Sequence, residues 1–160
     1  MDAPHKPAAE SRAGPFLGRD ANRMVKHAIG PEWSLVLDKA FTRQAVAGDV
    51  LLSMPGRTVY CSVFNTNNSA AEEAIAKMIE GRPGIPVQMF DREEPGICGH
   101  AYLLPEGEGN NKYWGLNTWT AARGSVCCTT IYFREIIELN WAIQVWKSVR
   151  PGRETKVRLN

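Results

Sequence analysis

The spacing of apolar residues changes several times along the chain, and each change predicts a new secondary-structure element. Between residues 21 and 29 apolar side chains recur at helical spacing, with Asp20 before them as a helix cap and Gly30 after them as a stop. A first amphipathic helix is therefore predicted. Short β-branched and aromatic runs then predict four antiparallel strands with tight turns, at Ser34–Leu37, Phe41–Val46, Val50–Met54 and Thr58–Phe64.

Helical spacing returns once in the middle of the chain and once near its end. Ser69 and Glu72 match a capping box before a second helix, which covers residues 71–79 and stops at Gly81. A third helix is predicted to begin at about Glu135. Between these two helices the pattern predicts four more strands, at Val87–Phe90, Ile97–Leu104, Tyr113–Trp119 and Val126–Phe133.

The order helix, four strands, helix, four strands and helix indicates an α+β fold. Each predicted helix has an apolar side that must be hidden, and an antiparallel sheet offers two faces to hide it. We expect one antiparallel β-sheet covered by amphipathic helices. This single domain is expected at 16–150, after a disordered leader at 1–15 and before a basic tail at 151–160.

Composition and charge narrow the range of partners. The chain has 160 residues, 44% of them hydrophobic, and its 19 basic and 17 acidic side chains leave a net charge of +2. The basic residues are scattered, which argues against nucleic-acid binding. No apolar run approaches the ~20 residues that cross a bilayer, and no secretory signal is recognisable, so we expect a cytoplasmic protein without membrane contact. A mature periplasmic chain with an added methionine would look the same.

No catalytic motif is recognisable, whether a nucleophile elbow, a phosphate-binding loop or a zinc-protease motif. We therefore expect no catalytic activity, no cofactor and no metal site. Cys98 and His100 are the alternative catalytic residues, because residues two apart on a strand share a face; a buried thiol and a hydrogen-bonded histidine are the plainer interpretation. Asp91, Glu93 and Glu94 lack the ligand spacing of a calcium loop and are interpreted as a solvated turn.

The four cysteines lack a paired C-x-x-C spacing and are expected to be buried and reduced. They are Cys61, Cys98, Cys127 and Cys128. Because neighbours on a strand point to opposite faces, Cys127 and Cys128 cannot hold one metal ion together. A bridge from Cys61 to Cys98 or to Cys127 is the alternative in an oxidising compartment.

Tyr113, Trp114 and Trp119 place large rings on both faces of one predicted strand. A helix covers only one face of a strand, so at least one of these rings is expected at the surface. The three residues are candidate partner-binding residues for that reason. Core packing is the alternative, since tryptophan is usually buried in a chain of this size.

Taken together, the elements resemble the PsbP-like and DcrB-like α/β sandwich family, which includes the Ran-binding Mog protein and the Eag chaperones of type VI secretion effectors. The resemblance is architectural and spans residues 33–149. It implies an α/β/α sandwich with a non-enzymatic binding or accessory role, and the fold alone does not choose among such roles. The features that carry it are Trp33, Phe41, the Gly48-Asp49-Val50 turn, the helix from Ser69 to Ile79, the strand from Ile97 to Tyr102 and the helix from Trp141 to Ser148.

Three functions are compatible with the sequence. The first is a non-catalytic protein-binding accessory protein, such as a chaperone, an adaptor or a toxin-neutralising immunity protein, whose partner is another protein. The second is a small cysteine- and histidine-dependent enzyme built on Cys98 and His100. The third is an envelope component or small-ligand carrier, which bridged cysteines would favour. The sequence does not indicate the oligomeric state.

Overall fold

Strands dominate the structure, a computed structural model that describes residues 23–67 and 69–152. The predicted leader at 1–15 and the tail from residue 153 lie outside these residues. In chain order the described elements are β1 (Met24–Ala28), β2 (Trp33–Asp38), β3 (Thr42–Val46), β4 (Asp49–Met54), β5 (Arg57–Asn65), α1 (Ala71–Glu80), β6 (Gln88–Glu94), β7 (Ile97–Glu106), β8 (Tyr113–Ala122), β9 (Ser125–Phe133), a 3-10 helix (Ile136–Glu138), α2 (Leu139–Ser148) and β10 (Arg150–Pro151).

The larger of two sheets has seven antiparallel strands in the order β3-β4-β5-β9-β8-β7-β6. Hairpins join most neighbours, and the β3–β4 hairpin turns at Ala47 and Gly48, which both have positive φ as a two-residue turn of this kind needs. β5 and β9 are distant in the chain and pair along the whole length of β5 in the middle of the sheet. This long pairing fixes which side chains share a face, because side chains alternate along every strand.

The smaller sheet, with strand order β1-β2-β10, packs on one face of the larger one. Leu35 of β2 is fully buried in the same core cluster as Leu52 of β4. β10 pairs Pro151 opposite Trp33. The first residue of the segment expected to be a tail therefore belongs to a sheet.

The prediction of a first helix is wrong, because Met24–Ala28 is strand β1. All five residues pair with β2 in antiparallel register. Val25 and His27 lie opposite Leu37 and Leu35, which are buried, so the segment has the alternation of a strand as well as helical spacing. Pairing with the buried strand β2 favours the strand over the helix, because so short a segment has little helical stability of its own.

The predicted four-strand meander is divided between the two sheets. β2 belongs to the smaller sheet, and the chain crosses to the larger sheet before β3 begins. At the crossing the Asp38 carboxylate accepts a hydrogen bond of 2.8 Å from the amide of Ala40, and the Phe41 ring is buried. The single sheet expected from the sequence is therefore two sheets. The α+β class and the antiparallel pairing are confirmed.

The two α-helices pack on opposite faces of the larger sheet. α1 shares a small core cluster with Ala121 and Val126. α2 buries Ala142, Val145 and Trp146 in the main core, on the side of the smaller sheet. The layers are those of an α/β sandwich. Within the described residues, no helix has the length and apolar character needed to span a membrane.

The capping box predicted at Ser69 and Glu72 is wrong. α1 begins without a side-chain cap, and the Ser69 carbonyl instead accepts a hydrogen bond of 3.2 Å from the hydroxyl of Thr66. A capping box does occur at the 3-10 helix, where Glu135 and Glu138 bond reciprocally. Ser69 therefore belongs to a turn before the helix, in which its amide also donates to the carbonyl of Thr66 at 3.1 Å.

Candidate partner-binding face

The two faces of the larger sheet are covered to different extents. One face packs under the smaller sheet and α2, and its side chains, such as Leu52, Val59 and Ile131, are fully buried. On the other face α1 packs on one end of β8 and β9 and on β7, and among the described residues no second layer lies over β3, β4, most of β5 and the opposite end of β8 and β9. We term this uncovered surface the open face, and its half-buried or exposed side chains include Leu51, Ser53, Thr58, Tyr60, Ser62, Tyr113, Asn117, Thr130 and Tyr132, with the carboxylates of Asp49 and Glu106 on the same face.

Strand register arranges these side chains in rows. Leu51 lies opposite Tyr60, Tyr60 opposite Thr130, and Thr130 opposite Asn117, which makes one row across four strands. The row combines an aromatic ring with apolar, hydroxyl and amide groups, and none of its four members is charged. Tyrosine among small polar groups is typical of protein-binding surfaces, because it gives a large contact area at a low cost in conformational entropy.

Hydrogen bonds hold the polar groups of the open face in place. The hydroxyl of Tyr60 donates to the carboxylate of Asp49 at 2.6 Å, and the hydroxyl of Thr130 donates to the side-chain oxygen of Asn117 at 3.2 Å. The bond to Asp49 raises the pKa of Tyr60 above its ordinary value, so the hydroxyl remains protonated at neutral pH. Groups fixed in this way lose little freedom when a partner binds.

The structure separates the three aromatic residues singled out from the sequence. Tyr113 lies on the open face, is 37% exposed and meets Tyr132 edge to face, with ring centroids 5.5 Å apart. Trp114 points to the opposite face and packs against the main core. Trp119 packs beside the α1 cluster and stacks on His100, with ring centroids 5.9 Å apart. Of the three, Tyr113 is the one that belongs to the open face.

Tyr60 and Tyr132 are the open-face aromatics that sequence reasoning missed. The signal was present, because both alternate with fully buried residues, Val59 before one and Ile131 before the other. Alternation shows that each strand has two unequal faces. Which face remains uncovered depends on where α1 and the smaller sheet pack, and the local pattern does not contain that information.

Cys98 and His100 share a face, as predicted for residues two apart on a strand, and no hydrogen bond between them occurs in the described part of the chain. The buried imidazole is held at both nitrogens. Nδ1 lies 2.7 Å from a carboxylate oxygen of Asp91, and Nε2 lies 3.3 Å from the guanidinium of Arg82. Because a guanidinium only donates, Nε2 is the acceptor and Nδ1 donates its proton to Asp91. Arg82 thus occupies the lone pair that a general base would use.

Asp91, Glu93 and Glu94 lie in strand β6, so the interpretation as a solvated turn is corrected. Asp91 holds the imidazole described above, and Glu94 accepts a hydrogen bond of 2.7 Å from Arg92. Alternation places Glu94 on the opposite face from the other two, so the three carboxylates do not converge. Across residues 23–67 and 69–152, no group of three or more His, Cys, Asp or Glu side chains is placed to hold a metal ion.

All four cysteines carry free thiols. Cys127 and Cys128 point to opposite faces of the sheet, as predicted. Burial raises the pKa of Cys61 and of Cys128 to about 12, and it also raises the pKa of Cys98 and Cys127. Little thiolate is present at neutral pH under these conditions, and the thiolate is the nucleophilic form.

Comparison with known proteins identifies the fold. No protein-family model matches the chain, and no significant match occurs among curated proteins. The solution structure of cyanobacterial PsbP (CyanoP) from Synechocystis sp. PCC 6803 matches with a TM-score of 0.63 and 12% identity, over 87% of this chain and 97% of that one. The chain has a PsbP-like fold. A crystal structure from Bacteroides thetaiotaomicron VPI-5482 matches with a TM-score of 0.64 and 13% identity, over 84% of this chain and 50% of that chain.

The PsbP-like fold does not by itself assign a function. The chain spans about half the length of the Bacteroides protein. Identities of 12% and 13% show a shared architecture, and folds of this kind carry unrelated functions. The open face and the contacts around His100 are therefore the features from which a function can be inferred.

Proposed function

We propose that the protein is a non-catalytic protein-binding accessory protein of the chaperone, adaptor or toxin-neutralising immunity type, and that the open face is its binding surface. The observation that carries the proposal is the unequal covering of the larger sheet. An antiparallel sheet with one bare face normally shows polar side chains there. Here that face also presents Tyr60, Tyr113 and Tyr132, together with a half-buried Leu51.

The composition of the open face favours a protein partner. Tyrosine is enriched among the residues that contribute most to binding energy between proteins. The Tyr60 hydroxyl is already bonded to Asp49, so its ring is positioned before any partner arrives. A folded partner can cover several strands of such a surface at once.

A small enzyme built on Cys98 and His100 is the second candidate, because Asp91 orients the imidazole as the third member of a catalytic triad does. Two features favour protein binding over this candidate. Arg82 bonds the nitrogen that would act as a base, and burial raises the pKa of the Cys98 thiol. Disulfide bridges between the cysteines would favour the ligand-carrier alternative. All four thiols are free, so this support is missing.

The proposal is tested by recovering the partner from the native host. A tagged native chain is expected to retain one protein at near-stoichiometric amount after washing. Tyr60→Ala and Tyr132→Ala each remove a ring from the open face, and each is expected to lower that recovery at least ~10-fold, as loss of an interface hot spot does. Quantitative mass spectrometry of the eluates gives the ratio of partner to bait.

A matched control separates loss of binding from loss of folding. Ile85→Ala removes a large side chain that is 91% exposed in the loop before β6, at the sheet edge opposite β3 and β4, and is expected to leave recovery unchanged. Urea midpoints of all variants are compared with the native chain. Recovery of the bare bait alone, or equal recovery with folded Tyr60→Ala and native chains, would overturn the proposal.

A further inference from the structure

A groove of about 340 Å³ lies at the end of the larger sheet, where β5 and β8 begin and β9 ends. It adjoins the open face, because Thr58, Tyr113 and Tyr132 belong to both. The described residues that line the groove include Arg57, Lys112 and Arg134 and no carboxylate. Two carboxylates lie close to it, because Glu138 pairs with Arg57 and Glu106 lies beside Gly115 and Tyr132.

Two of the three cations are available to a partner. The Arg57 guanidinium is engaged already, since it is 2.8 Å from a carboxylate oxygen of Glu138 and lies 4.3 Å from the ring centroid of Trp141. Lys112 and Arg134 are exposed, and neither forms a salt bridge with any residue that the structure describes. Like charges gathered around one groove attract a ligand of the opposite sign and speed its arrival.

The neutral groups of the groove are hydrogen-bond donors as well. Burial raises the pKa of Tyr132, so its hydroxyl remains protonated at neutral pH. Thr58 adds a hydroxyl and Asn111 a side-chain amide. Carboxylate oxygens accept such bonds, and hydrogen bonds that involve an ionised partner are stronger than neutral ones.

We propose that the partner presents an acidic segment, which docks with its carboxylates between Lys112 and Arg134 while neighbouring residues lie on the open face. The inference rests on the proposed function and names the partner's chemistry at one end of that surface. Charge complementarity is its basis, together with the continuity of the groove and the open face through Tyr113 and Tyr132.

A partner protein fits this surface better than a continuous polyanion does. The cations stand at one end of the sheet, and the row that begins at Leu51 is uncharged. Asp49 lies beside that row, bonded to Tyr60, and would repel a chain of phosphates laid along the face. An acidic segment followed by neutral residues meets the cations and avoids the carboxylate.

The test uses the full chain and two fluorescein-labelled ten-residue peptides, one with three consecutive glutamates and one with glutamines in their place. Fluorescence anisotropy at low salt measures binding. We expect the glutamate peptide to bind about tenfold more tightly than its glutamine counterpart, and a Lys112→Gln/Arg134→Gln variant to lose that difference. The control variant, Lys26→Gln/Lys147→Gln, also removes two exposed cations, but from another groove, and should keep the difference.

Three results would overturn the inference. They are equal binding of the two peptides, equal loss in the control variant, and tighter binding of single-stranded DNA or anionic phosphatidylglycerol vesicles that depends on Lys112 and Arg134. None of these three results contradicts the proposed function if partner recovery still depends on Tyr60. If recovery does not depend on Tyr60, the proposed function itself fails, so the two failures are distinguishable.

Discussion

Trp146 of α2 packs directly over Gly99 of β7. A Cβ added to Gly99 would lie 3.2 Å from Cζ2 of Trp146 and 3.0 Å from the carbonyl oxygen of Trp119. The indole nitrogen of Trp146 donates to the hydroxyl of Thr120 at 3.0 Å, which fixes the ring against the sheet. The absence of a side chain at Gly99 is therefore what allows α2 to approach this closely.

Gly99→Ala is expected to lower the free energy of unfolding by about 1–3 kcal/mol, because the added methyl group overpacks a filled site. Urea denaturation followed by circular dichroism measures the change. Gly81→Ala is the matched control. A Cβ there would lie 3.6 Å from its nearest neighbour and φ is −86°, so we expect a change within about 0.5 kcal/mol. Equal effects at the two positions would contradict the packing argument.

Arg92 is a second link between the sheet and α2. Its buried guanidinium donates to the carbonyl oxygens of Trp146 and Val149 at 3.0 Å each, and to the carboxylate of Glu94 at 2.7 Å. Arg92→Met keeps much of the apolar volume but leaves those acceptors without their donor. We expect a loss of about 3 kcal/mol in the free energy of unfolding, measured in urea.

Arg150→Met is the control for Arg92. Arg150 also donates to Glu94, at 3.0 Å, but its side chain is 51% exposed. Exposed ion pairs contribute below about 1 kcal/mol, so this variant should be close to the native chain in stability. If the two methionine variants unfold at the same urea concentration, the buried carbonyl contacts of Arg92 do not hold α2 in place.

Glu94 makes stability depend on pH. Hydrogen bonds from Arg150 and Arg92 hold the pKa of Glu94 below its ordinary value of 4.5. The unfolded chain therefore takes up a proton at a higher pH than the folded protein does. This contribution to stability is complete above about pH 4.5 and is lost as the pH falls through the folded pKa.

We expect the urea midpoint of the native chain to fall further between pH 6 and pH 3 than that of Glu94→Gln, whose amide does not titrate in this range. Glu138 contributes in the same direction. Burial opposes its ionisation, but hydrogen bonds from Arg57 and from two backbone amides lower its pKa overall. Parallel curves for the native chain and Glu94→Gln would show that Glu94 does not produce the dependence.

The sequence predicted most strands of the larger sheet, because their alternation and turns are local. The β3–β4 hairpin is an example, since Ala47 and Gly48 supply the turn where it was expected. Met24–Ala28 was misassigned because its identity as a strand depends on pairing with β2. Long-range pairing also places β2 in the smaller sheet and not in the predicted meander. There β2 pairs with β10, in which Pro151 lies opposite Trp33.

The candidate site could be predicted only in part. The strand rich in large rings predicts Tyr113 as a candidate. It predicts Trp114 as well, although neighbours on a strand face opposite ways and only one of the two can lie on the open face. The predicted turn at Asp91 does not indicate its contact with His100, because that contact joins adjacent strands β6 and β7 and depends on their register.

The thiols give a prediction that separates the two candidate functions. Cys98 and Cys128 are half-buried, whereas Cys61 and Cys127 are buried, and burial raises the pKa of Cys128 to about 12. With iodoacetamide at pH 8 we expect Cys98 to be modified first and more slowly than free cysteine, because burial raises its pKa. Cys61 should react about a thousandfold more slowly than an unshifted thiol would, since a rise from 9.0 to about 12 removes that much thiolate.

Mass spectrometry of timed samples reads the order of modification site by site. Cys98→Ser removes the first site and serves as the assignment control, and unfolding in urea should expose all four thiols equally. An activated nucleophile would behave in the opposite way, because a thiol paired with an imidazole reacts faster than free cysteine does. Rapid, selective alkylation of Cys98 that is lost in His100→Gln would therefore favour the enzyme over the binding protein. Slow alkylation unaffected by that substitution is the result expected from the contact between Arg82 and His100.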